Sequence, residues 1–164
     1  MDPGAALDVA AQVAVTLAGF AGIVVVFRPQ SVHEWSAVDR LRLRLLLANS
    51  AAPLIAALFG IFLLTIEPPP QAIWRWCSGF VLLLMVPFIA TNSRHARQLS
   101  PAERIGVNTT LYYSLALLGT GALVLQLVNL FWWNRFWAFF AALFVYLVAA
   151  IIQFVRFVLL PPTR

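Results

Sequence analysis

The chain has 164 residues, of which 62% are hydrophobic and 10% charged, with a mean hydropathy of +0.89 and a net charge of +5. A water-soluble domain of this size has too much surface for its volume to hide that apolar content, so the composition excludes one. All eleven basic residues are arginine, and they flank apolar runs, so the matching anion is a membrane surface and not nucleic acid.

Charges divide the chain into uncharged windows at 9–27, 45–66, 76–93, 105–134 and 136–155. Each can hold a helix of ~17–25 residues that spans a bilayer. Backbone groups in hydrocarbon find no water, so such runs must be helices and not open strands.

The first predicted helix covers 5–27. Asp2 and Asp8 replace the positive start of a signal peptide, and the run ends on Phe27-Arg28 without a small-residue cleavage site, so it reads as retained. Small residues recur at Ala6, Ala10, Ala14, Ala18 and Gly22, a stripe that suits close packing inside the monomer or at a subunit interface. The second helix covers 36–66. Ser36 and Asp39 form a capping box at its head. The alternation Arg40-Leu41-Arg42-Leu43-Arg44-Leu45 looks strand-like, but it runs straight into an uncharged stretch and is read as helix. Three prolines at 68–70 stop it. The third helix covers 72–92. The fourth, 101–131, starts at a second capping box, Ser100 with Glu103, and Pro101 at the first helical position. A turn at Trp132-Trp133-Asn134-Arg135 leads to the fifth, 136–160. Pro53 and Pro87 fall inside the second and third helices. The predicted fold is therefore an all-α polytopic membrane bundle of five transmembrane helices, one domain over 1–164.

Orientation follows from arginine counting. Arg28, Arg40, Arg42, Arg44, Arg94, Arg97, Arg104, Arg156 and Arg164 fall at one end, and Arg75 and Arg135 at the other. The richer end is expected in the cytoplasm, which puts the N-terminus outside and the C-terminus inside. Trp74, Trp76, Trp132, Trp133 and Trp137 gather at the opposite end as an interfacial belt.

Between Val13 and Arg28, through Thr16-Leu17-Ala18-Gly19-Phe20-Ala21-Gly22, and again at Trp35-Ser36 and Asp39-Arg40-Leu41-Arg42, the chain resembles an uncharacterised family of small bacterial multi-helix integral membrane proteins. The resemblance covers roughly residues 9–50. It implies a multi-pass protein of the bacterial inner membrane and brings no activity, cofactor or catalytic residue.

Polar residues inside the windows sort by depth. Gln12, Gln126 and Asn129 lie toward the tryptophan end, and Asn108, Tyr112 and Gln153 toward the arginine end. One reading is hydrogen bonding between helices. The other is two polar vestibules separated by a waist at Gly119-Thr120-Gly121, on a path along helices 1, 4 and 5. Arg40, Arg44, Arg94, Arg97 and Arg104 are candidates for binding anionic lipid headgroups at the cytoplasmic face. His33 and His95 bring too few neighbours for a metal site, and no nucleophile, phosphate loop or paired membrane carboxylate is present. The expected function is a non-enzymatic, oligomeric membrane protein, such as a small pore or transport-like assembly, without cofactor. The alternative is an accessory or scaffold subunit held by a partner protein, and a third reading is a lipid-acting membrane enzyme.

Overall fold

A computed structural model of the chain describes residues 2–27, 32–98 and 109–159. Among them there is no strand, and five helices are long and apolar enough to cross a membrane. They are α1 (Pro3–Phe27), α2 (Ala37–Leu64), α3 (Ile73–Gln98), α4 (Thr109–Val128) and α5 (Phe136–Leu159). This is the architecture of a multi-pass membrane protein. A short 3-10 turn, Val32–Glu34, precedes α2, and α4 continues into a π-turn at Asn129–Trp133.

Local chemistry explains most of the ends. Asp2 caps α1, its carboxylate accepting from the Gly4 and Ala5 amides at 3.2 and 3.3 Å. Ser36 caps α2, its Oγ accepting from the Asp39 amide at 3.1 Å. The Asp39 carboxylate accepts from Arg42 Nη1, also at 3.1 Å. The α3 helix runs past the boundary expected at 92. Ser93 to Gln98 contain no proline or glycine, so the charges there end the apolar run without ending the helix. The expected start of the fourth helix, with its Ser100–Glu103 cap, lies outside the described residues.

The α2 and α5 helices hold the middle of the bundle. The α1 helix packs on both, α3 packs on α2, and α4 packs on α5 and α3. One core cluster centres on Leu7, Ala57, Cys77, Phe139 and Leu143. A second, toward the arginine end, joins Ala21, Trp35, Leu46, Ala150 and Phe157, with the Trp35 and Phe157 rings 5.8 Å apart. Gly60 is required by a close approach: a Cβ there would stand 2.8 Å from Leu7 Cδ1.

The small-residue stripe of α1 is used inside the monomer for its first half. Ala6, Ala10 and Ala14 are buried, whereas Gly22 is exposed with nothing within 4 Å of a Cβ built on it. A row of period four drifts by about 40° per step on a helix with 3.6 residues per turn. The row leaves the interface, and Ala21 takes its place in the core. Of the five belt tryptophans, Trp76, Trp132, Trp133 and Trp137 are exposed. Trp74 turns inward and stacks on Phe139, centroids 5.9 Å apart.

Candidate functional site

The tryptophan end is closed by a polar knot. Ser78 Oγ donates to Gln126 Oε1 at 2.8 Å, and Gln126 Nε2 donates to the Ala138 carbonyl at 2.8 Å. Asn129 Nδ2 donates to Ser78 Oγ at 2.8 Å, and Asn129 Oδ1 accepts from the Arg135 amide at 2.7 Å. All three side chains are fully buried, and they tie α3, α4 and α5 together. The π-turn brings Asn129 into this position. Asn134 ends the turn in the left-handed conformation, φ 51°, which asparagine tolerates better than most residues. Its side chain accepts from the Arg75 amide at 3.2 Å and donates to the Gln71 carbonyl at 3.0 Å.

At that end the bonds agree with the first of the two readings, hydrogen bonding between helices. Gln126 and Asn129 are buried and hydrogen-bonded to neighbouring helices, and neither lines the cavity at the arginine end. Gln12 does not join them: it lies exposed on α1, away from the knot. Depth along a helix groups the three residues, but it says nothing about which face meets which neighbour.

The arginine end holds a cavity of about 390 Å³ between α2, α3, α4 and α5. It exists because α4 turns little bulk inward there. Only Ala122 and Gln126 are buried along α4, and Ala116, Gly119 and Thr120 form part of the cavity wall. Gly119 and Gly121 have nothing within 4 Å of a built Cβ, so no neighbouring helix among the described residues packs closely on this segment. The segment is an open wall.

Of the expected path residues, the structure brings Tyr112, Gly119 and Gln153 to this one cavity. Asn108 lies outside the described residues. Gln153 Oε1 accepts from Asn49 Nδ2 at 3.0 Å, which bridges α5 to α2. Arg42 and Arg156 also line the cavity. Arg42 is ion-paired with Asp39, itself 2% exposed. Arg156 has no acidic partner among the described residues. Two buried polar atoms, Asn92 Oδ1 and Tyr146 Oη, have no hydrogen-bond partner among the described residues, and both residues line the same cavity. Asn92 escaped the sequence reading, although it lies seven residues from Met85 on the same face of α3.

The headgroup candidates are placed differently. Arg40 Nη1 donates to the Trp35 carbonyl at 2.7 Å and the His33 carbonyl at 3.3 Å, and so clips the 3-10 turn to α2. Arg40, Arg44 and Arg94 are exposed and none lines the cavity. The Arg97 side chain and all of Arg104 lie outside the described residues.

Compared with known proteins, the chain matches no family model, no curated protein and no solved structure.

Proposed function

We propose that the chain is a non-enzymatic membrane protein that holds a ligand in the arginine-end cavity and admits it from that end alone. The carrying observation is the asymmetry of the bundle: a cavity of about 390 Å³ at one end, a hydrogen-bonded plug at the other. That volume falls in the ~300–1,000 Å³ range of small-molecule sites. A pore through one subunit would need both ends open. Acid–base chemistry would need a carboxylate or histidine in the wall. Asp39 is paired with Arg42, and His33 and Glu34 are exposed on the 3-10 turn, off the wall. By the arginine count the cavity faces the cytoplasm, and the host membrane is the bacterial inner membrane.

Sided labelling tests this reading. Ser93→Cys and Ala149→Cys place thiols on the cavity wall, while native Cys77 is fully buried and serves as the silent control. A membrane-impermeant maleimide is expected to label both variants in inverted vesicles and neither in intact cells. Labelling only in intact cells would reverse the orientation. Labelling from both sides would mean that the plug is open.

One observation favours assembly as a second reading, either of identical copies or with a partner protein. Asp8, Gln12 and Thr16 form an exposed polar row at helical spacing on α1. Leu7, beside Asp8, touches the position of Gly60 deep in the core, so the row lies within the bundle's span. Polar groups facing hydrocarbon are costly, and a neighbouring helix would relieve them. Gln12→Leu is therefore expected to shift the oligomer toward monomer by several-fold in mild detergent. Mass measured by light scattering reads the result, and an unchanged distribution would remove this interface.

A further inference from the structure

We infer that the cavity binds an anionic amphiphile, with its head at Arg156 and Arg42 and its hydrocarbon tail in the apolar interior. This rests on the ligand-holding reading above and names the ligand's chemistry.

The argument starts from charge. Arg42, Arg156 and the nearby Asp39 leave a net positive charge at the cavity among the described residues. Charged side chains at membrane depth pair, reach the interface or face a water-filled cavity, and a cavity with a surplus cation in its wall attracts an anion. Arg156 is the cation without an acidic partner among the described residues, and it lines the same cavity as the Arg42 guanidinium. An anion in the cavity gives Arg156 a partner and offsets the net positive charge of the wall. Guanidinium matches phosphate or carboxylate through paired N–H donors.

The rest of the wall sets the remaining chemistry. Phe88, Ile89, Leu115, Leu118, Phe144 and Val145 line it with hydrocarbon, which suits an acyl chain and not a free inorganic anion. Asn92 Oδ1 accepts only, and it has no donor. A bare anionic head leaves it unsatisfied. A head that also carries a hydroxyl supplies the donor. The cavity therefore selects an anionic, hydroxyl-bearing head on a lipid tail, as in a glycerol phosphodiester lipid.

Native mass spectrometry of the full chain in mild detergent tests this with three probes: phosphatidylglycerol, diacylglycerol and glycerol 3-phosphate. Phosphatidylglycerol is expected to be retained about tenfold better than the neutral diacylglycerol, and glycerol 3-phosphate not at all. Arg156→Gln should lower phosphatidylglycerol to the diacylglycerol level, and Arg156→Lys should restore most of it. Arg135→Gln, exposed at the tryptophan end, should change nothing. Gly119→Leu fills the cavity from a position with free space, so it should reduce both lipids in a folded protein. If Gly119→Leu lowers retention but Arg156→Gln does not, the ligand-holding reading stands and the anionic assignment fails. If Gly119→Leu changes neither lipid, the cavity is not the site and both fail. Retention of glycerol 3-phosphate by itself would show that the anion, without a tail, is the ligand.

Discussion

Phe139→Ala should destabilise the bundle by about 2–3 kcal/mol, the largest effect expected of any single truncation here. The ring is fully buried, stacked on Trp74, and one of its edge carbons stands 3.6 Å from where a Gly60 Cβ would lie. In a water-soluble protein such a truncation costs ~3–5 kcal/mol, the sum of lost transfer energy and a cavity. Unfolded helices in a membrane remain in lipid, so the transfer part largely drops out and lost packing remains. The lower figure follows. Unfolding in mixed micelles of denaturing and mild detergent measures it. Phe62→Ala, at a 60% exposed position on α2, should change stability by less than about 0.5 kcal/mol. Equal losses at the two sites would contradict a core centred on Phe139. The neighbouring glycine sharpens the test. Gly60→Ala in the native background must displace Leu7, whose Cδ1 would be 2.8 Å away. With the Phe139 ring removed, the leucine has a void to enter, so the double variant should cost less than the sum of the singles.

Asn129→Leu should cost about 1–2 kcal/mol. The substitution keeps the branched shape and removes the bonds to Ser78 Oγ and to the Arg135 amide, together with a long contact of 3.4 Å to the Trp74 carbonyl. Hydrogen bonds between membrane helices average ~0.6 kcal/mol each, with a maximum near 1.7. Two sound bonds and a weak one therefore set the range. Gln126→Leu, which loses two bonds, should cost about 1 kcal/mol. Ser78 is shared by both amides, so the two substitutions should not add. Once one amide is gone, Ser78 is free to turn, and the second loss is smaller. Strict additivity in the same unfolding assay would mean two independent bonds and no knot. Neither substitution touches the cavity, so lipid retention should stay at the native level.

Much of the architecture is legible in the chain itself. Hydrocarbon thickness sets the length of a span, and charges mark where the apolar runs stop, so five helices can be counted without coordinates. The start of α2 is legible because its cap is a local event: Ser36 bonds an amide three residues away. The end of α3 is not, because arginines limit an apolar run and do not terminate a helix that carries them beyond it. The Asp2 cap on α1 follows from a polar acceptor ahead of a helix, a signal present in the sequence and easily mistaken for a mere negative charge.

The candidate site divides the same way. Residue type and depth already separate Gln126 and Asn129 from Tyr112 and Gln153. What they do is a matter of neighbours. Gln126 and Gln153 are the same amide on adjacent helices. One is sealed against Ser78 and a carbonyl, and the other bridges to Asn49 on a cavity wall. Helical periodicity assigns a residue to a face of its own helix, but it does not say which helix that face meets or how closely. The π-turn at Asn129 and the wide standoff of α4 at Gly119 settle those questions, and both depend on contacts between segments far apart in the chain. The sequence by itself determined the number of spans and the cap of α2, because these depend on the thickness of hydrocarbon and on local bonding. Only the tertiary structure decided that one polar group closes the bundle and the other lines a cavity, because hydrogen bonds and voids between helices are made by pairs of faces, and each face is specified without knowledge of its partner.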